Sequence, residues 1–178
     1  MKKAKKLKIL RRSCGTYDYC EFGFAYCANA CYYYVLDFNE RLCLCAGEDD
    51  FILNGFEINR VKDMERVELL DNATVAINRQ NGLLDGLETP AVDITSWRTA
   101  FRSLAKTDYF IIIENEYRGF FRIGKIKRVK KKSVVFKSFD GDGVWQHKIK
   151  IPFSEITTVR FGDRYSTYWK NYLEEKNQ

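Results

Sequence analysis

Residues 133–165 read SVVFKSFDGDGVWQHKIKIPFSEITTVRFGDRY, and a weaker copy begins 92 residues earlier with RLCLCAGEDDFILNGFEINRVKDMERVELLDN. Sliding one copy onto the other places Leu42 on Val134, Leu44 on Phe136, Asp63 on Glu155, Met64 on Ile156, Val67 on Val159 and Asp71 on Asp163. The shared pattern is strand, turn, strand, an acidic residue followed by an apolar one, a short strand and then a helix. Self-similarity at a fixed offset is the mark of a duplicated supersecondary unit, so the chain is expected to build the same unit twice.

Both copies are dense in strand signals. Residues 17–28 (YDYCEFGFAYCA) and 31–38 (CYYYVLDF) are rich in aromatic side chains. Leu42 and Leu44 alternate with Cys43 and Cys45, the period of a strand. Residues 51–61 continue in that character, Lys62, Asp63 and Met64 read as one helical turn, and residues 65–70 close the copy. The second copy offers strands over 109–114, 119–129, 133–139, 144–151 and 156–161. Asp140-Gly141-Asp142-Gly143 suits a hairpin turn, and Pro152 ends the strand before it because proline cannot donate to a ladder. Three helices are expected. One covers 72–80, stopped by Asn81-Gly82. A second covers 94–106, with Asp93 as its cap, Ile94, Trp97, Phe101 and Leu104 on one face and Arg98, Arg102 and Lys106 beside them. The third covers 163–176, with Tyr165, Tyr168, Trp169, Tyr172 and Leu173 as its apolar stripe.

Five short, bent strands with a single helical turn before the last resemble the small β-barrels of the Sm-like and SH3-like class, over about residues 17–70 and 108–162. The stretch YVLDFNERLCLCAGEDDFILNGFEINRVKDM also looks like bacterial proteins of unknown function that carry such tandem units, a likeness that implies no activity. The Sm RNA-binding motifs, an Asp-x-x-Met-Asn strand and an Arg-Gly loop, are absent. The resemblance implies an α+β, mainly β protein of two tandem five-stranded Sm-like/SH3-like barrels, with a connecting helix and a C-terminal helix. The expected divisions are a basic arm over 1–13, a first barrel over 14–80, a linker and bridging helix over 81–106, and a second barrel with its helix over 107–178.

Charge is distributed unevenly. Residues 1–13 carry 7 basic and no acidic side chains, residues 14–93 carry 5 basic and 15 acidic, and residues 94–178 carry 18 basic and 9 acidic. Stretches of −10 and +9 suit internal docking, head-to-tail self-association, or one half that faces a polyanion. The basic start lacks the apolar core of a signal peptide, and no run of about 18 apolar residues marks a transmembrane helix, so an intracellular, cytoplasmic protein with no membrane partner is expected. Cys14, Cys20, Cys27, Cys31, Cys43 and Cys45 are then thiols packed as small hydrophobes.

The sharpest chemical feature is the basic run Lys125, Lys127, Arg128, Lys130, Lys131 and Lys132, interleaved with Tyr117, Phe120 and Phe121. It suits phosphate contacts with aromatic stacking. The simpler reading is a hairpin edge kept from strand pairing by its lysines. The N-terminal arm reads as a solvated tail that could add to the same field. Cys27-x3-Cys31 and Cys43-x-Cys45 lack the usual zinc-knuckle spacing, and core cysteines explain them better. General-base work by His147, the only histidine, would need a partnered acid or nucleophile, and its context WQHKIKI reads as a sheet face instead. Trp97, Trp145 and Trp169 read as packing residues. No phosphate loop, nucleophile elbow or paired-carboxylate motif occurs, so neither an enzyme nor a bound cofactor or metal is expected. The expected role is a non-enzymatic binding module. A protein partner or a second copy is favoured, because the −10 segment would repel a nucleic acid laid across both halves; nucleic-acid binding through the basic run and arm is the alternative.

Overall fold

The computed structural model describes residues 1–176, which divide into two compact units, Met1–Pro90 and the chain from Ala91 onward. The first unit runs α1 (Lys3–Ser13), β1 (Tyr19–Phe24), β2 (Cys31–Phe38), β3 (Leu42–Asp49), β4 (Ile52–Arg60), a 3-10 turn (Val61–Asp63), β5 (Met64–Leu69) and α2 (Ala73–Gln80). The second runs α3 (Trp97–Leu104), β6 (Ile111–Asn115), a 3-10 turn (Glu116–Arg118), β7 (Phe120–Val129), β8 (Ser133–Ser138), β9 (Ile149–Pro152), a 3-10 turn (Phe153–Glu155), β10 (Thr158–Phe161) and α4 (Arg164–Glu175).

The expected pair of closed barrels is corrected by the strand order. All ten strands lie in open antiparallel ladders, ordered β5-β1-β2-β3-β4 in the first unit and β10-β6-β7-β8-β9 in the second. Among the described residues no ladder joins β4 to β5, or β9 to β10, so neither order closes on itself. The protein is mainly β, and its described strands form no closed barrel. Closure needs a consistent tilt and stagger around the whole ring, and local features here work against it. The 3-10 turn at Val61–Asp63 separates β4 from β5, and β5 pairs with β1 instead. The carbonyls of Val61 and Met64 there accept hydrogen bonds from the Lys6 ammonium of α1, at 2.9 and 2.6 Å. In the second unit β9 is only four residues long and ends at Pro152, which has no N–H to offer.

α1 is the second correction, because the arm read as a solvated tail is a helix packed on β5 and β2. Leu10 is fully buried in the first unit's core beside Leu7 and Ile9. Lys6 buries its stem while its head finds two carbonyls. Burial pushes the Lys6 pKa down, against the attraction of Asp63 and Glu65. That core contains Cys20, Phe22, Phe24, Tyr33, Val35, Cys43, Cys45, Met64 and Val67. In the second unit α3 starts later than expected. Ser96, not Asp93, caps it in a reciprocal box with Thr99, and the helix packs on β7 and β8 of its own unit. Phe110, Ile112, Ile123, Phe139 and Leu173 form a core cluster, with Phe121, Trp145 and Trp169 against it.

Candidate functional site

β7, β8 and β9 position the basic residues. Lys125 pairs with Lys137 across β7 and β8, and beyond a bulge Arg128 pairs with Val135, which pairs with Lys150 on β9. Cross-strand partners share a face, and residues two apart on one strand do too. Lys125, Lys137, Arg128 and Lys150 therefore form two rows on one face, with adjacent strands about 4.8 Å apart. Lys130, Lys131 and Lys132 follow in the turn between β7 and β8 and are exposed. Lys125 is satisfied locally: its ammonium lies 5.0 Å from the Phe110 ring centroid and 3.8 Å from Glu174. Lys137 lies 5.3 Å from the Trp145 centroid. Lys127, Arg128, Lys130, Lys131, Lys132 and Lys150 have no carboxylate within ion-pair distance among the described residues, and all six are exposed.

The aromatic residues read as interleaved with this run lie elsewhere. Tyr117 belongs to the 3-10 turn before β7, and Phe120 and Phe121 open that ten-residue strand. Its far end is about 30 Å away. The Arg122 guanidinium lies over Phe120 and the Phe121 ring meets Tyr165 edge-on.

A second aromatic group lies on α4, whose C-terminal turn reaches Lys125 through Glu174. α4 turns Trp169 and Leu173 toward the core and leaves Tyr165, Tyr168 and Tyr172 at 53%, 72% and 49% exposure. Asp163 fixes the start of the helix: its carboxylate accepts from the Ser166 amide at 2.9 Å and the Ser166 hydroxyl at 2.7 Å. The β8–β9 turn seats beside it. Asp140 accepts from the amides of Asp142 and Val144, and Gly143 takes a φ of +76°. A Cβ at Gly143 would stand 3.0 Å from Leu173, so glycine lets the turn pack against α4. Gly141, Asp142, Tyr165, Tyr168, Trp169 and Tyr172 line a cleft of about 580 Å³. A neighbouring cleft of about 660 Å³ contains Arg122, Gln146 and His147.

No family model, curated protein or solved structure matches the chain. His147 is exposed and lines the larger cleft near Asp140, whose carboxylate is taken up by turn amides and Gln146. All six cysteines are free thiols. Cys43 and Cys45 lie 3.5 Å apart in the core, and burial pushes the Cys45 thiol well up. Burial raises Cys20 and Cys31 to about 11. Neutral thiols are poor nucleophiles and poor metal ligands, and among the described residues no group of three or more His, Cys, Asp or Glu is placed to hold a metal. No described helix is long and apolar enough to cross a membrane.

Sequence reasoning missed Lys137, Lys150 and the outward tyrosines. Strand alternation with Val134, Phe136 and Ile151 already places Lys137 and Lys150 on the open face. In the sequence the tyrosines read with Trp169 and Leu173 as one stripe. Trp169 and Leu173 are four apart and take the inward line, whereas tyrosine tolerates water at its hydroxyl end.

Proposed function

We propose that this chain is a non-enzymatic cytoplasmic binding module whose second unit holds a polyanion, the phosphate backbone of a nucleic acid. The observation that carries this reading is the set of six exposed cations without carboxylate partners, Lys127, Arg128, Lys130, Lys131, Lys132 and Lys150, gathered at one end of β7–β9. Like charges this close repel one another, and a bound anion relieves that cost. The charge argument for a protein partner weakens once α1 is counted with its own unit. Residues 1–90 carry 12 basic and 14 acidic side chains, a net of −2, while residues 91–178 carry 18 and 10, a net of +8. The acidic stretch is thus mostly balanced by the helix folded onto it.

The test is fluorescence anisotropy of a labelled oligonucleotide between 50 and 300 mM salt. The expected slope of log K against log salt is roughly −4 to −5, the value for six phosphate contacts. Lys130→Glu, Lys131→Glu and Lys132→Glu together are expected to lower affinity at 50 mM salt by about 100-fold or more. No binding at low salt would sink the reading.

A protein partner is the second reading, and one feature of the first unit favours it. Asp49 pairs with Ile52, so Asp50 and Phe51 form a two-residue turn with φ of +50° and +65°. A phenylalanine in that conformation is strained, and here it presents Phe51 and Ile52 to solvent at 45% and 47% exposure. Sedimentation of wild type against Phe51→Ser, Ile52→Ser tests for self-association through this tip. A wild-type monomer at every concentration removes the second-copy form of the reading.

A further inference from the structure

Resting on the polyanion reading, we propose that the ligand of the second unit is a single-stranded nucleic acid, with bases stacked on the tyrosines of α4 and phosphates on the cations of β7–β9. A duplex presents phosphates and hides its base faces, so a lysine patch alone would serve it. The second unit adds Tyr165, Tyr168 and Tyr172, spaced by three and four on one helix and largely exposed. They span about 10 Å along the axis. Aromatic rings in sequence beside a cationic track are what a sequence-tolerant single-strand site requires.

The rings are held open. Trp169 packs 5.0 Å from Phe139 and meets Tyr165 and Tyr172 edge-on at 6.4 and 5.9 Å, which fixes both outer rings against a core residue. The Lys176 ammonium lies 5.8 Å from the Tyr172 centroid. At the same end of α4, Glu174 is partnered by Lys125, and from Lys125 the two cationic rows lead through Lys137, Arg128 and Lys150 to the turn at Lys130, Lys131 and Lys132. Lys125 thus joins the C-terminal end of α4, where Tyr172 lies, to the first of the cationic rows. Asp142, in the tyrosine cleft, sets the polarity of the strand: its carboxylate repels phosphate and accepts hydrogen bonds from base amino groups. Bases accordingly lie toward α4 and phosphates toward β7–β9.

The deciding experiment measures affinity of the whole protein for a labelled 12-mer single strand and for a duplex of the same length, with Tyr168→Ala alone and with Tyr165→Ala, Tyr168→Ala and Tyr172→Ala together. Single strand is expected to bind about 10-fold or more tightly than duplex. The triple variant is expected to lose about 10-fold or more on the single strand, with the salt slope unchanged because the phosphate contacts persist. Tyr168→Ala, at the most exposed ring, gives a partial loss without risk to the fold. Equal affinity for both forms, or no effect of the tyrosine variants on salt-dependent binding, overturns the single-strand assignment and leaves the polyanion reading standing. Absence of binding to either form overturns both. Binding of a proline-rich peptide at the tyrosines in place of the oligonucleotide also overturns the assignment.

Discussion

The two units follow one plan and carry different surfaces. Shifted by 92 residues, α1 falls on α3, β1 on β6, β2 on β7, β3 on β8, β4 on β9, the turn at Val61–Asp63 on that at Phe153–Glu155, β5 on β10 and α2 on α4. The plan survives because it depends on apolar periodicity and turn residues. The surfaces have diverged: at the shifted positions of Tyr165, Tyr168 and Tyr172 the first unit has Ala73, Ala76 and Gln80, and at those of Lys130, Lys131 and Lys132 it has Phe38, Asn39 and Glu40. The first unit buries Cys20, Cys43 and Cys45 with Tyr19, Tyr33 and Tyr34, Tyr33 lying beside Glu57, and leaves Tyr32 exposed, while the second turns three tyrosines of one helix and a run of cations outward. Shared architecture therefore says little about shared ligand.

The equivalence of the cores is the easiest part to break. Leu44 and Phe136 occupy matching positions and are both fully buried. Leu44→Ala is expected to cost about 2–5 kcal/mol and Phe136→Ala about 3–5 kcal/mol in urea denaturation. A cost below about 1 kcal/mol at either site would break the match. Gly124 of β7 marks a difference instead, since its counterpart in β2 is Tyr32. A Cβ at Gly124 would stand 2.1 Å from the Lys137 carbonyl oxygen, so Gly124→Ala is expected to cost about 1–3 kcal/mol through forced movement of β8. Full stability in that variant would show that the β7–β8 ladder can shift.

The helix caps should rank by burial. Asp163 is buried and accepts two hydrogen bonds from Ser166, whereas Asn72 is exposed and accepts one from Val75 at 3.2 Å. Asp163→Ala is expected to cost about 1–2 kcal/mol and Asn72→Ala about 0.5–1 kcal/mol; the reverse ranking would contradict the packing around α4. The last difference is one of pH. Cys20 and Cys31 have folded pKa values raised to about 11 by burial, above the usual thiol value of 9.0. Their contribution is complete below pH 9 and is lost as pH rises from 9 through 11, because the unfolded chain ionises first. The second unit contains no cysteine. Denaturation followed from pH 7.5 to 10.5 should show a decline that Cys20→Ala with Cys31→Ala makes shallower; an unchanged slope would place the cause in other groups.

The residues that spoke clearly in the sequence are those whose signal is local. Asp140 to Gly143 encodes a turn, Cys31 to Phe38 a strand, and Asn81-Gly82 the end of a helix, and all three take those forms. The helical character of residues 3–13 was obscured by lysines, although Leu7, Ile9 and Leu10 gave it an apolar side and the 92-residue shift lays it against α3. The basic run was legible, but its separation from Tyr117, Phe120 and Phe121 was not, because neighbours in sequence within an extended strand are drawn far apart.

By itself the sequence determined the strand-rich character, the duplicated order of elements and the uneven charge, since periodicity, turn chemistry and charge counts are properties of nearby residues. Only the tertiary structure decided that the ladders stay open, that Lys6 is buried against Val61 and Met64, and that Tyr165, Tyr168 and Tyr172 face solvent. Each of these depends on contacts between residues distant in the chain. Closure accumulates tilt and register over five strands, Lys6 needs carbonyls more than fifty residues away, and the tyrosines stay outside because Trp169 and Leu173 already fill the core against β7 and β8.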